Sequence, residues 1–186
     1  IYQFNQSLPA DFKKIALEIL SGPAKKIVFD LRDNPGGYLN ICQEISGWFL
    51  KAGDVVVIED FGKGKEDKYY KAEGNGVFSD YPIVILINNG SASASEILAG
   101  ALRDNRNIAL IGEKSFGKGS VQELVNLQDR VSFLKITIAK WLTPKGSLIS
   151  EVGLSPDIKI ELSNEDIESE NDVQLQKALE IIKGIE

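Results

Sequence analysis

Histidine is absent from all 186 residues, and its absence removes several common kinds of site. Histidine is the usual general base of Ser-His-Asp and Cys-His hydrolases, and it is also the commonest metal-binding side chain. Any hydrolytic chemistry in this chain therefore needs a different base.

Cysteine is nearly absent as well, because Cys42 is the only one. A single cysteine cannot form a disulfide within the chain, and a cysteine nucleophile would have no imidazole to activate it. Cys42 stands among Ile41, Ile45 and Phe49, and free cysteine is one of the most often buried residue types. We therefore expect Cys42 to pack in the core.

Long apolar runs and clusters of positive charge are also missing. The longest apolar runs, such as Ile83–Ile87, are much too short to cross a bilayer, and no charged-then-apolar signal segment opens the chain. The formal net charge is -6 and no stretch concentrates Lys and Arg, so nucleic acid is not expected as a partner. The chain starts at Ile1 without methionine, which leads us to expect a truncated or processed piece of a longer protein.

The apolar residues that are present form strand-loop-helix patterns. With 186 residues and 43% hydrophobic content, the chain is long enough for one core, and we expect a single domain over residues 1–186. Two apolar runs, Lys26–Leu31 and Pro82–Ile87, each enter a loop that is followed by apolar residues at helical spacing. The second run has no polar alternation, which is typical of a strand buried on both faces. Units of this kind predict an α/β fold.

The other elements follow from the same spacing rules. A first helix is predicted between Phe12 and Leu20, and the helix after the first strand is predicted to run through Phe49. Further strands are predicted at Ile108–Ile111, Glu123–Leu127, Val131–Ala139 and Asp157–Ile160, the middle two joined by a turn at Gln128–Arg130. Residues 62–76 are predicted as a surface hairpin or mobile loop, residues 161–172 as an exposed acidic linker, and residues 173–184 as a docked last helix.

Paired glycines mark the first segment that could carry chemistry, Asp-Leu-Arg-Asp-Asn-Pro-Gly-Gly at residues 30–37. Gly36 and Gly37, directly before a helix, let the backbone approach a ligand and point free N–H groups at it, which suits an oxyanion. The alternative is that the glycines only make a sharp turn. This segment by itself leaves both interpretations open.

Three small hydroxyls mark the second segment, Gly-Ser-Ala-Ser-Ala-Ser-Glu at residues 90–96. A nucleophilic serine before a helix gains from the amides of the helix N-terminus, which stabilise charge on an attacked carbonyl oxygen. The alternative is a capping box of Ser93 and Glu96, with Ser93 only the N-cap. The segment is not a Gly-x-Ser-x-Gly nucleophile elbow, because Ser95 fills the last place.

The third segment, residues 112–120, imitates a phosphate-binding P-loop but lacks one essential residue. That motif needs Ser or Thr directly after its Lys to hold magnesium, and here Gly119 follows Lys118. The glycines on both sides of Lys118 permit an unusual backbone that would turn its amine inward. An ordinary surface lysine is the alternative.

Together and in this order, the three segments resemble the carboxyl-terminal processing, or tail-specific, proteases. Their pattern reads close to Asp-Leu-Arg-x-Asn-Pro-Gly-Gly, then Asn-x-x-Ser-Ala-Ser-Ala-Ser-Glu, then Phe-Gly-Lys-Gly-x-x-Gln. Further matches lie at residues 137–140, 143–146 and 153–157, and the resemblance covers the chain from about residue 24 to the C-terminus. It implies a ClpP/crotonase-like α/β catalytic core with mixed sheets and flanking helices. The implied activity is that of a serine-type endopeptidase that cleaves proteins near their C-termini.

The resemblance also implies a site. Its implied members are Ser93 as nucleophile, Lys118 as general base, Gln122 as the residue that orients the amine, and N–H groups of Gly36 or Gly37 and of Ala94 as the oxyanion hole. A lysine can take a serine proton only when burial in an apolar pocket lowers the lysine pKa by several units. We therefore expect a substantially buried amine, and no metal or organic cofactor is needed.

Family members usually carry a PDZ domain that captures the C-terminal residues of the substrate by strand addition. No such domain is recognisable in this sequence, and the first four residues resemble the strand that follows it. Implied partners are unstructured protein or peptide C-termini and, in the full-length protein, the PDZ domain together with a homo-oligomer or activating partner. The implied location is the bacterial cell envelope, periplasmic or extracytoplasmic.

Three alternative functions stay open at this point. The first is a catalytically idle peptide-binding or partner-regulated scaffold of the same fold. The second is nucleotide binding by residues 112–118, and the third is an acyl-CoA enzyme on the same architecture.

Overall fold

The computed structural model describes residues 1–127 and 131–185, and these contain five helices and eight strands. The helices are α1 (Leu8–Ser21), α2 (Leu39–Ser46), α3 (Ala94–Arg106), α4 (Asn164–Glu168) and α5 (Val173–Gly184). The strands are β1 (Ile27–Asp30), β2 (Val55–Asp60), β3 (Lys68–Lys71), β4 (Ile83–Ile87), β5 (Ala109–Gly112), β6 (Ser120–Asn126), β7 (Phe133–Leu142) and β8 (Ile158–Lys159). Within the described ranges, no helix has the length and apolar character needed to cross a membrane.

The strands form two four-stranded sheets. The first is parallel, in the order β1-β4-β5-β8, and its register pairs Ile27 with Ile83 and Val84 with Ala109. The second is antiparallel, in the order β3-β2-β7-β6. Helices flank the parallel sheet, so the predicted α/β fold with flanking helices is confirmed.

Strand β4 is buried on both faces, as its unbroken apolar sequence predicts. Its odd-numbered residues belong to the main core, with α1, α2 and α3. Its even-numbered residues, Val84 and Leu86, pack in a second core against Ala178 and Ile182 of α5. Full burial of side chains of this size contributes about 1.5–3 kcal/mol each. Helix α5 therefore covers a sheet face that would otherwise be exposed.

Two boundaries differ from the sequence predictions. Helix α2 ends at Ser46, three residues before Phe49, and the next residue, Gly47, lies so close to the backbone of Gly74 that a Cβ at Gly47 would come within 2.6 Å of Gly74 N. Strand β2 was not predicted, although its Val-Val-Val-Ile sequence has high β propensity. It pairs with β3, so residues 62–76 hold only the second strand of the predicted hairpin.

The acidic segment before the last helix is also more regular than predicted. It contains the short helix α4, whose N-cap Ser163 accepts a hydrogen bond of 3.1 Å from Asp166 N. The Asp166 carboxylate accepts in return from Ser163 N at 3.0 Å. This capping box explains why helix forms in a charged sequence. The turn predicted at Gln128–Arg130 lies outside the described residues.

Cys42 is in the core, as predicted. It is fully buried, and its Sγ donates a hydrogen bond of 3.3 Å to Ala94 O at the start of α3. Burial raises the pKa of the Cys42 thiol to about 12. A thiol of this kind stays protonated and acts as a small packing group.

Candidate active site

Three loops hold the candidate residues, and each follows the carboxyl end of a strand in the parallel sheet. The glycine loop (residues 31–38) follows β1, the serine loop (residues 88–93) follows β4, and the lysine loop (residues 113–119) follows β5. These three strands are adjacent and parallel, so their carboxyl ends lie at one edge of the sheet. Open α/β sheets bind ligands at this edge. The topology therefore brings together three segments that are far apart in sequence.

The three clustered serines differ in burial and in hydrogen-bond partners. Ser91 is fully buried, and its Oγ donates a bond of 2.8 Å to Leu31 O in the glycine loop. Ser95 is also fully buried, and its Oγ donates a bond of 2.9 Å to Asn34 O. Ser93 alone of the three is partly exposed. Ser91 and Ser95 therefore fix the glycine loop to the serine loop and to the start of α3, and Ser93 is the one serine of the three that is accessible from solvent.

Ser93 has a strained backbone. Its φ of 56° and ψ of -117° lie outside the regions that non-glycine residues normally occupy, which costs about 1–3 kcal/mol. Gly36 lies directly against it, because a Cβ at Gly36 would come 2.5 Å from Ala92 O and 2.8 Å from Ser93 Cβ. Only glycine fits at Gly36 without moving the serine loop. Strain of this kind is typical of functional sites.

The N–H groups of the paired glycines, Gly36 and Gly37, differ in their surroundings. Gly36 N donates a hydrogen bond of 2.9 Å to Asn34 Oδ1. Phe4 forms a parallel bridge with Gly37, in which Phe4 N donates to Gly36 O and Tyr38 N donates to Phe4 O. The N–H of Gly37 therefore points away from Phe4, towards the side where β4 and the serine loop lie. We therefore take Gly37 N, which does not bond to Phe4, as the candidate oxyanion donor of the pair.

Ala94 supplies a second amide next to Ser93. It is the first residue of α3, and the first four amides of a helix have no acceptor within the helix. The helix dipole adds partial positive charge at this end. The same position makes Ser93 the N-cap of α3, so the capping and nucleophile interpretations of Ser93 are compatible.

Glu96 connects the serine loop with the lysine loop, a role that the capping-box pattern did not reveal. Its carboxylate is fully buried, and Oε2 accepts from Ser93 N at 2.9 Å and from Lys118 N at 3.0 Å. Oε1 accepts from Ser115 Oγ at 2.6 Å and from Gly117 N at 2.7 Å. Because two amides share one oxygen, Ser93 N and Lys118 N lie within about 6 Å of each other. Glu96 therefore sets the distance between the two proposed catalytic residues.

The backbone around Lys118 is fixed, but its side chain is exposed. Gly119 packs against the backbone of Ile149 and Ser150, and Gly117 has a φ of 87° that favours glycine. Gly117 therefore has the unusual backbone that was predicted, but the amine of Lys118 does not turn inward. The expected burial of the lysine amine is wrong, because the Lys118 side chain is exposed in the part of the chain that the structure describes.

Gln122 lies on β6 and is exposed. The register between β6 and β7 shifts between Val121 and Gln122, and such a bulge changes the direction of the following side chains. In residues 1–127 and 131–185, no hydrogen bond joins the Gln122 side chain to Lys118. The structure therefore brings together the other five candidates and leaves Gln122 on the exposed hairpin.

The same three segments fall within a known family. The model for peptidase family S41 matches residues 1–160, which is most of the chain. The chain belongs to peptidase family S41. A carboxy-terminal-processing protease of Bartonella bacilliformis is 41% identical over 155 residues, which cover 83% of this chain and 35% of that protein. A C-terminal processing peptidase from the chloroplast of Tetradesmus obliquus is 37% identical over 158 residues, which cover 85% and 33%.

Solved structures agree with this S41 assignment. The photosystem II D1 C-terminal processing protease has a TM-score of 0.79 and 34% identity over 87% of this chain and 41% of its own. Tricorn protease has a TM-score of 0.68 and 18% identity over 98% of this chain and 17% of its own, which shows the fold alone. The predicted fold, a ClpP/crotonase-like tail-specific protease core, is confirmed. The chain spans about a third of the length of the curated relatives it matches.

The lysine loop of this S41 core is not arranged to bind phosphate. A P-loop holds phosphates with free backbone amides, but Gly117 N and Lys118 N both donate to the Glu96 carboxylate. These bonds argue against the nucleotide-binding alternative. Within residues 1–127 and 131–185, no three acidic or cysteine side chains are grouped as a metal site requires.

Replacing Glu96 by glutamine is expected to lower the free energy of unfolding by about 2–5 kcal/mol, because the new amide group would face N–H or O–H donors and leave two buried groups unpaired. Urea denaturation followed by tryptophan fluorescence measures this loss. The exposed Glu123→Gln variant is the control and should change stability by less than about 0.5 kcal/mol. A loss below about 1 kcal/mol for Glu96→Gln would show that the four hydrogen bonds do not carry the loop connection.

Proposed function

We propose that this chain is the catalytic core of a serine-type endopeptidase that cleaves protein substrates near their C-termini. The observation that carries the proposal is the isolation of Ser93, the one accessible serine of the cluster, in a strained backbone beside the paired glycines. Its amide shares a carboxylate oxygen with the amide of Lys118. The names of the S41 relatives as C-terminal processing proteases support the same reaction.

In the proposed mechanism, the neutral amine of Lys118 takes the hydroxyl proton of Ser93 as Oγ attacks the scissile carbonyl carbon. The oxyanion accepts hydrogen bonds from Gly37 N and Ala94 N. The resulting ammonium then protonates the leaving amine, and an acyl-enzyme remains on Ser93. Lys118 next takes a proton from water as the water oxygen attacks the ester carbonyl carbon, and it returns this proton to Ser93 Oγ as the ester bond breaks and the new C-terminus is released. Gln122 orients the amine once β6 is brought over the site.

The exposed Lys118 side chain defines the condition under which this mechanism operates. An amine in water is protonated at neutral pH, and only removal of water from around it produces a base. We infer that the remainder of the full-length protein, including a PDZ domain, covers the lysine loop when a substrate C-terminus is bound. The relatives are about two and a half times as long as this chain, which leaves room for such a domain.

The proposed setting rests on the family resemblance of the sequence. The substrates are unstructured protein or peptide C-termini. An activating partner or a homo-oligomer shields the Lys118 amine further from water. The proposed location is the bacterial cell envelope, in the periplasm or another extracytoplasmic space. None of the relatives reported above is named as an acyl-CoA enzyme, so that alternative has no support from them.

The test is cleavage of casein by the chain alone and after addition of a PDZ-bearing segment from a relative, with Ser93→Ala as the control for contaminating proteases. If wild type cleaves casein only when the PDZ-bearing segment is present, the protease is gated by that segment. If wild type cleaves casein alone, the protease activity is supported but the covering of Lys118 by a PDZ domain is not required. Cleavage that survives Ser93→Ala, or that never occurs, contradicts the proposal and favours an idle peptide-binding scaffold.

A further inference from the structure

The first turn of α5 contacts the glycine loop through Arg32. Arg32 Nη1 and Nη2 donate hydrogen bonds of 2.8 and 2.7 Å to the two carboxylate oxygens of Asp172, the N-cap of α5. The Arg32 guanidinium also donates to Asp30 at the end of β1. The hydrogen bonds that Arg32 donates lower the pKa of the Asp172 carboxyl. The Arg32 guanidinium thus binds one carboxylate at the end of β1 and one carboxylate at the start of α5.

The same turn contacts the lysine loop through Gln174, which is fully buried. Gln174 Oε1 accepts from Arg32 Nη1 at 3.1 Å. Gln174 Nε2 donates to Ile160 O at 2.8 Å and to Glu113 Oε1 at 3.3 Å. Glu113 is the first residue of the lysine loop. One amide group therefore joins the beginnings of two loops that flank the serine loop.

Contacts other than these bonds also hold α5 on the sheet. Its apolar face packs on β4 through Ala178 and Ile182, and Lys26 Nζ donates to Lys183 O and Ile185 O at its far end. The S41 family model ends at residue 160, so α5 lies beyond the matched part. The buried polar turn then has a role that packing does not explain.

We propose that Gln174 and Asp172 are positioning residues, which set the separation between the glycine loop and the lysine loop. The inference rests on the proposed function, because the loops carry the proposed oxyanion donor Gly37 and the proposed base Lys118. Displacing one loop by a fraction of an ångström misaligns the oxyanion donor and the base on either side of Ser93. Substrate binding does not depend on this alignment as strongly as the chemical step does.

Cleavage kinetics of Gln174→Leu and Asp172→Asn test the inference, with Lys26→Met as the matched control at the other end of α5. We expect kcat to fall about 10- to 100-fold in the first two variants, with KM unchanged. Asp172→Glu keeps the charge opposite Arg32 and should recover part of the loss. Lys26→Met should keep wild-type kcat.

Amide hydrogen exchange provides a readout that does not require cleavage. Gln174→Leu should raise the exchange rates of amides in residues 34–37 and 115–119, and Lys26→Met should raise them only near the end of α5. If Gln174→Leu speeds exchange in both loops but wild type cleaves no substrate, the coupling between the two loops is supported and the protease function is rejected. The inference is overturned if Gln174→Leu leaves loop exchange and kcat unchanged, or if Lys26→Met lowers kcat equally.

Discussion

Ser93→Ala and Lys118→Ala are each expected to lower kcat/KM for casein by about 10⁴-fold or more, and the double variant is expected to lose no more than either single one. A nucleophile and its base act as a unit, so removing either leaves only the oxyanion donors and substrate binding. The shared Glu96 oxygen that holds both amides supports such a unit. Initial rates measured under the condition in which wild type cuts give the comparison.

Lys114→Ala is the control for this cycle, because Lys114 is another exposed lysine in the same loop. It should keep kcat/KM within about twofold of wild type. The losses in kcat/KM of Ser93→Ala and Lys118→Ala would multiply in the double variant if the two residues act independently. That result would mean that Lys118 has another role, for example in binding substrate. Activity that persists in Lys118→Ala would assign the base to another group.

Gly36→Ala is expected to produce the second largest loss, about 10²- to 10³-fold in kcat/KM, together with about 2–4 kcal/mol of unfolding free energy. The new methyl group would require movement of Ala92 O, of the Ala94 amide or of Ser93 itself. Ser93 and the Ala94 amide belong to the proposed site, and Ala92 precedes them in the serine loop. The φ of 92° at Gly36 adds backbone strain to the clash. Casein cleavage and urea denaturation measure the two losses.

Gly62→Ala separates the strain from the clash. Gly62 has a φ of 84°, close to that of Gly36, but a Cβ there would meet nothing within 4 Å. It should lose only about 1–2 kcal/mol and keep full activity. If Gly36→Ala loses no more than Gly62→Ala, the contact between the glycine loop and the serine loop is not important for the site.

The sequence marks the candidate loops because glycines, small side chains and a helix start are visible locally, but the role of each residue and the choice of Gln122 rest on the family resemblance. Gly36, Ser93 and Lys118 all follow predicted strands of the parallel sheet. The adjacency of β1, β4 and β5 depends on pairing between distant strands, and spacing rules carry no information about it. The family resemblance, and not periodicity, supplied the expectation that the three loops meet.

Other features could not be predicted because they depend on the fold around them. The capping-box spacing anticipates the bond from Ser93 N to Glu96, but the bonds from Ser115, Gly117 and Lys118 cross from another loop. Burial of the Lys118 side chain was expected because a lysine base must be shielded from water. Whether a side chain is buried depends on the structure around it, and a local sequence motif does not show that structure.

The position of α5 beyond the family match has a consequence for the boundaries at which this core can be produced. A protein cut at residue 160 would keep every residue assigned to the reaction. It would also uncover Val84, Leu86 and Ile111 on the outer face of the parallel sheet, where α5 now packs. A continuous apolar strip on a parallel sheet is a surface for aggregation. The smallest soluble unit is therefore set by the sheet that supports the site, and it extends through Ile182.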